Sequence, residues 1–230
     1  MKASVGKGLS RSIEDYLKVI YKLEADSGSA QTSAIAEALA IAPPSVSGMV
    51  KRLAEAGLLE HSRYRGVRLT EAGQHQALRI LRRHRIIESY LIEQLEYDWH
   101  NVHQEAERLE HAVSDALIDR MDQALGRPSH DPHGAPIPTP DGEIETIHYV
   151  PMTDLDVGSA GQLRMVGDKD SERLRFIASL GLRPGVAFDV VARQPFHGPL
   201  TIRLEGGREE VIGYELANSL QCERSGGDAK

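Results

Sequence analysis

At 230 residues, 27% of them charged, the chain is long enough for two or three folded domains, and its start, MKASVGKGLSRS, lacks the apolar core of a secretion signal. A single cysteine, Cys222, excludes an intrachain disulfide and a thiolate-rich zinc cage, so any bound metal is held by oxygen and nitrogen. The net charge of -7 is unevenly spread, because residues 1–90 hold 14 Lys/Arg against 9 Asp/Glu and the remainder hold 13 against 25. A basic first part on an acidic body is the layout of a DNA-binding module joined to a sensing or dimerising part. No apolar run approaches the ~18 residues of a membrane span, and the expected location is the cytoplasm, with no membrane partner.

The periodicity of Ile13, Tyr16, Leu17, Ile20, Tyr21 and Leu23 predicts an amphipathic helix from about Ser10 to Asp26, with Ser12 as its cap and Ser27-Gly28-Ser29 as its end. Asp15 lies near the first turn, where a carboxylate stabilises the helix dipole. The stretch TSAIAEALAIAPPSVSGMVKRLAEAGLLE reads as two short helices with a tight break. Thr32 or Ser33 caps the first, which buries Ile35, Ala36 and Leu39. Pro43-Pro44 opens the second, which turns Val46, Val50 and Leu53 inward, and Gly57 closes it. Its outward face carries Ser45, Ser47, Lys51 and Arg52, small hydroxyls followed by cations, as suits a helix entering a major groove. In LLEHSRYRGVRLT a hairpin with a turn at Arg65-Gly66 is expected, made cationic by Arg63, Arg65 and Arg68. Three helices and a basic hairpin make a winged helix-turn-helix, against a small bundle with an incidental positive surface. The expected DNA-facing set is Thr32, Ser33, Pro44, Ser45, Ser47, Lys51, Arg52, Arg63 and Arg65.

From Thr70, as cap, to about Leu95 one long helix is predicted, with Leu78, Leu81, Ile86, Ile87, Tyr90, Leu91 and Leu95 supplying more than one apolar stripe and hence a dimer contact. His84 and Glu88 stand one turn apart on it, as a metal clip or a plain side-chain contact. A further helix is expected from Asn101 to Leu125. On it His103, Glu107, Glu110 and His111 stand at i, i+4, i+7 and i+8 and share a face. A solvated face would more naturally alternate Glu with Lys or Arg, whereas Glu107 and His111 together can chelate a divalent cation. The segment RPSHDPHGAPIPTPDG holds five of the eleven prolines and reads as a linker carrying His130 and His133. Beyond it, short alternating runs (GQLRMVG, VAFDVVAR, PLTIRLEG, EEVIGYELA) and one short helix around Ser171 to Ser179 predict a small β-barrel of about 80 residues.

Taken together, SIEDYLKVIYKLE, AIAEALAIAPPSVSGMVKRLAEAGLL, RRHRIIESYL, VHQEAERLEHAVSD and DPHGAPIP resemble the metal-dependent transcriptional repressors of the diphtheria toxin repressor family, including its manganese-responsive branch. The tail, with MTDLDVGSAGQLRMV and LGLRPG, resembles the SH3-like domain of these proteins and of ferrous-iron transport accessory proteins. The resemblance implies a mainly α protein with β. Its parts would be a winged helix-turn-helix at 1–72, a helical dimerisation and metal-binding domain at 73–127, a Pro-rich linker at 128–143 and an SH3-like domain at 144–224. It places a primary metal site at Asp15, Glu107, Glu110 and His111, with carboxylates at the first two positions as in the manganese-responsive members. An ancillary site falls on His84, Glu88 and His103, with His133 and Asp131 from the linker and Asp168, Asp170 or Glu172 as further donors. Hard oxygen donors suit Mn2+ or Fe2+, and other divalent transition metals would substitute in vitro. The two-domain manganese repressors carry a second carboxylate one turn after the counterpart of Asp15. Here that position is Lys18, so the resemblance does not extend to their two-ion cluster.

The function expected is that of a homodimeric repressor of metal-uptake genes, binding a palindromic operator in double-stranded DNA. A metal joining the reading and dimer domains would set the reading heads about 34 Å apart. The alternatives are a metal-binding helical enzyme or storage protein and a winged-helix regulator indifferent to metal. An enzyme is not expected: no Glu-x-x-His pair recurs on the helices and no His-Glu-x-x-His motif is present.

Overall fold

The computed structural model describes residues 9–62, 66–167 and 170–225. Helix α1 spans Arg11–Ser27, α2 Thr32–Ala38 and α3 Pro43–Glu55; strands β1 (Leu59–Ser62) and β2 (Gly66–Leu69) follow, then α4 (Glu71–Leu95), α5 (Val102–Leu109) and α6 (Asp115–Ala124). The remainder holds β3 (Val150–Pro151), a 3₁₀ turn at Met152–Asp154, β4 (Ala160–Met165), α7 (Ser171–Ser179), β5 (Ala187–Arg193), β6 (Leu200–Leu204), β7 (Glu209–Ile212), α8 (Tyr214–Ser219) and β8 (Gln221–Ser225). The chain folds into two compact units.

The first unit comprises residues up to His84 together with Arg108–Asp115 and Pro138–Ile144. Its core is built by the predicted inward faces: Tyr16, Leu17 and Ile20 of α1, Ile35 and Ala36 of α2, and Val46, Val50 and Leu53 of α3, joined by Leu59, Val67 and Ala77. The axes of α2 and α3 meet at 111°, within the range of a helix-turn-helix. Proline opens α3 as expected, and Gly28 ends α1 in a left-handed conformation, its N–H donating to Glu24 O at 2.8 Å. The capping expectations need correction. Ser10 and Gln31 flank α1 and α2, while Ser12, Thr32 and Ser33 lie inside the helices; the extended backbone of Ser10 and Gln31 marks where each helix begins.

Strands β1 and β2 pair antiparallel from Leu59↔Leu69 to Ser62↔Gly66, and Ala30 and Val67 exchange backbone bonds of 2.8 and 2.9 Å that tie the hairpin to the loop after α1. The expected turn residue Arg65, with Arg63, lies outside the described residues. Thr70 caps α4 as predicted, accepting from the Gly73 N–H at 3.1 Å and donating to Gly57 O at 2.7 Å. A Cβ on Gly73 would stand 2.0 Å from Leu58 O, so this close approach of helix to hairpin admits only glycine.

The second unit comprises Arg85–Glu107, Ala116–Ile137 and residues from Glu145 onward. A six-stranded sheet in the order β3-β8-β4-β5-β6-β7, every pair antiparallel, covers a core that includes Met152, Leu163, Leu174, Ile177, Phe188, Ile202, Ile212 and Trp99. Helix α7 falls on the residues expected for it. The run EEVIGYELA does not stay extended: β7 stops at Ile212 and Gly213 leads into α8.

The single helix expected from Asn101 to Leu125 is two. The α5 helix stops at Leu109, residues 110–114 turn, and α6 begins at Asp115. Ser114 directly before α6 is the favoured start residue that marks the break. Among the described residues no single helix is long and apolar enough to cross a membrane.

Candidate metal centre

In the first unit Asp15, Glu110 and His111 each offer a donor atom within 4.8 Å of the others. Asp15 comes from the first turns of α1, whereas Glu110 and His111 stand in the turn just past α5, not on its shared face. The break in the helix is what lets both side chains address α1. Glu110 is fully buried; its Oε1 accepts from Lys18 Nζ at 2.5 Å and its Oε2 meets His84 Nδ1 at 2.6 Å.

His111 is held from its far side. Its Nδ1 lies 2.6 Å from Glu14 Oε2, a contact that fits a ring proton on Nδ1 and turns Nε2 toward Asp15 and Glu110. That Nε2 is buried without a hydrogen-bond partner, 2.9 Å from Asp15 Oδ1 and 3.3 Å from Glu110 Oε1. An imidazole nitrogen beside two carboxylate oxygens is a donor set of nitrogen and hard oxygen that suits a divalent transition metal. Glu14 stands where a carboxylate that orients a metal-binding histidine would stand. Arg83 in turn stands 3.9 Å from Glu14 Oε1 and 2.7 Å from Asp115 Oδ1. Burial pushes the Asp15 carboxyl above its usual range, and His111 and Lys18 oppose the shift.

Glu107 belongs to the second unit, where its Oε1 stands 3.6 Å from His103 Nε2. There His103 Nδ1 meets Glu88 Oε1 at 3.1 Å, and His133 Nδ1 lies 3.8 Å from Glu88 Oε2. The proline-rich segment is a built strap rather than a bare linker. His133 stacks on Trp99 with ring centroids 5.1 Å apart, its Nε2 meets Trp99 O at 3.0 Å, and Trp99 Nε1 donates to Pro132 O at 2.9 Å. Asp131 Oδ1 accepts from the N–H groups of His133 and Ala135, both at 2.9 Å. A Cβ on Gly134 would fall 1.8 Å from Arg164 O. Burial, reinforced by the charge of Glu88 and opposed by Arg85, pushes the Asp131 carboxyl up to about 6. Burial alone would depress His133, yet the facing Glu88 carboxylate leaves it raised. Asp131 Oδ2 and His133 Nδ1 are buried without hydrogen-bond partners, so Glu88, His103, His133 and Asp131 gather as a second group of donors. Of the further donors, Asp170 caps α7, accepting from Glu172 N and Arg173 N, and Asp168 lies outside the described residues.

On the reading surface, Pro44, Ser45, Ser47, Lys51 and Arg52 of α3 and Ser33 of α2 are exposed, and Thr32 is half-buried. Arg63 cannot be placed with them, for the reason given above. Two residues that contact the candidate donors, Glu14 and Lys18, are not among the ligands expected from the sequence. Their signal was a helical one: Glu14 adjoins Asp15, and Lys18 stands one turn later.

Residues 8–67 match the model of the iron dependent repressor N-terminal DNA binding domain, 70–139 that of the iron dependent repressor metal binding and dimerisation domain, and 150–224 the FeoA domain. The chain is 30% identical over 223 residues to the iron-dependent repressor IdeR of Mycobacterium tuberculosis, covering 92% of this chain and 96% of that protein. It is 31% identical over 232 residues to the diphtheria toxin repressor of Corynebacterium efficiens, covering 96% and 99%. Among solved structures, a manganese-dependent transcriptional repressor in complex with manganese superposes with a TM-score of 0.86 at 35% identity, over 93% of this chain and 100% of that one. The manganese regulator SloR gives 0.75 at 31%, over 93% and 98%. The chain therefore belongs to the iron-dependent repressor family, that of the diphtheria toxin repressor.

Proposed function

We propose that this protein is a Mn2+- or Fe2+-responsive DNA-binding repressor of metal-uptake genes, working in the cytoplasm as a homodimer and without catalytic turnover. The observation that carries this reading is the meeting of Asp15, from the first helix of the reading unit, with Glu110 and His111 from beyond α5, around an unpartnered imidazole nitrogen. Asp15, Glu110 and His111, with Glu107, would hold the primary ion. Glu88, His103 and His133, with His84 and Asp131, would supply an ancillary site. When bound, a divalent ion supplies positive charge and directional bonds where these donors meet. Glu14 keeps the His111 proton on Nδ1, and Lys18 and His84 hold Glu110 in place.

On the DNA side, Ser45 and Ser47 at the start of α3 would reach base edges or phosphates, and Lys51 and Arg52, together with Arg63 and Arg65, would neutralise the backbone. Exposed Leu95 and Tyr97 at the end of α4 and Leu117 of α6 offer apolar surface to a second copy. The division of labour we assign is DNA reading by 1–72, metal binding and dimerisation by 73–127, and a separate SH3-like domain at 144–224. Manganese in the solved relatives and iron in the curated ones support either ion as the signal.

The test is a selection of genomic DNA fragments by metal-stripped protein, run with Mn2+, with Fe2+ and with chelator. Enrichment of one palindromic site only with metal is the expected result. Enrichment regardless of metal would leave a winged-helix regulator without a sensor, and no enrichment under any condition would sink the reading.

A further inference from the structure

Lysine is rarely buried unless paired, and Lys18 has a side chain only 5% exposed with its Nζ 2.5 Å from Glu110 Oε1. Glu110 is also one of the three donors that converge with Asp15 and His111. The same buried carboxylate thus serves a fixed cation and belongs to the donor set for a mobile one. Among the described residues, Arg11 lies 4.0 Å from Asp15 but is 65% exposed, so its charge is screened, and Arg83, its side chain 11% exposed, is turned to Glu14 and Asp115; Lys18 is the buried cation set directly on a donor carboxylate. Positive charge inside the centre stabilises the carboxylates when no ion is bound and repels an incoming divalent ion.

We propose that Lys18 is a tethered cation that meets the charge demand of the metal-free centre and thereby raises the ion concentration at which the centre fills. This rests on the reading of Asp15, Glu110 and His111 as a metal centre. Lys18 is then a threshold-setting residue, and its removal has effects of opposite sign: the metal-free protein is weakened while the ion binds more tightly. A lysine that merely held the fold together would weaken both.

The experiment compares wild type, Lys18→Gln, Lys18→Arg and Asp15→Ala by Mn2+ calorimetry and by melting in chelator and in Mn2+. The calorimetric component lost in Asp15→Ala is that of the centre. The proposal expects Lys18→Gln to tighten that component by on the order of tenfold, to melt several degrees lower in chelator, and to gain more from Mn2+ than wild type does. Lys18→Arg, which keeps the charge, should stay near wild type in both. A Lys18→Gln protein that folds only with Mn2+ is the same result in its extreme form. One that does not fold with or without Mn2+, or that binds Mn2+ equally or more weakly, overturns the proposal. If wild type itself has no Asp15-dependent Mn2+ component, the metal-centre reading falls, and that outcome is distinguishable from a failure of Lys18 alone.

Discussion

Replacing Glu14 by glutamine tests whether His111 is aimed from behind. In the native chain the Glu14 side chain is 11% exposed and that of His111 8%, so the 2.6 Å contact of Oε2 with Nδ1 is a charge-assisted bond with little water to compete. Glutamine can donate as well as accept, so the imidazole is free to keep its proton on Nε2, where it points at Asp15 instead of a cation. Losing a supporting carboxylate of this kind weakens a metal site by about 10–100-fold, or roughly 1.4–2.7 kcal/mol. The fold should be less affected, because Arg83 keeps Asp115 Oδ1 at 2.7 Å when its Glu14 contact of 3.9 Å is lost; the expected cost is about 1–2 kcal/mol. Mn2+ calorimetry read beside denaturant unfolding separates the two. An affinity within about twofold of wild type, in a protein as stable as wild type, would refute the orienting role.

In the second unit, the Asp131 carboxyl raised from 3.8 to about 6 means that the folded chain binds more protons than the unfolded one between those values. Its favourable contribution is present below the lower value and lost as pH rises through the upper one. Asp131→Asn keeps an oxygen to accept from the N–H groups of His133 and Ala135 but cannot ionise. Its stability relative to wild type should therefore increase from pH 4 to pH 6.5 by roughly 1–3 kcal/mol, read from denaturant unfolding of metal-free protein; parallel pH profiles would contradict this. On the reading helix, Arg52→Ala should lower the slope of log affinity against log salt by about 1 without changing which DNA sequence is preferred, as measured by anisotropy titrations at several salt concentrations. An unchanged slope would remove Arg52 from the phosphate contacts.

Much of the fold was legible because it is local. The three- and four-residue spacing of Tyr16, Leu17 and Ile20 and of Val46, Val50 and Leu53 placed α1 and α3, Pro43-Pro44 marked the start of the latter, and the short helix expected around Ser171 to Ser179 is α7, while its cap Asp170 was read only as a possible metal donor. The errors were of two kinds. Turn chemistry was underread at Ser114 and at Gly213, where a helical and an extended pattern were each carried past a break. Pairings across long stretches of sequence were out of reach, since Lys18 and Glu110 stand 92 residues apart and Glu14 and His111 97. The spacing of Glu14 and Lys18 marks them as neighbours of Asp15 on α1, but not which distant turn they will face. Helical spacing misled as well. His103, Glu107, Glu110 and His111 read as one helical face, whereas the end of α5 at Leu109 directs Glu110 and His111 toward α1 and leaves Glu107 beside His103. The strap from Ser129 to Ile137 was read as a linker because proline bars regular structure, while its order comes from Asp131, His133 and Trp99.

The central claim is that an ion held through Asp15 governs DNA affinity. The most direct measurement is the affinity of wild type and Asp15→Ala for a selected operator fragment, by fluorescence anisotropy at fixed salt, in Mn2+ and in chelator. The account predicts that Mn2+ tightens wild-type binding by about tenfold or more, and that Asp15→Ala, folded and as stable as wild type in chelator, stays at the chelator affinity in both conditions. A variant that retained the full Mn2+ response would contradict it.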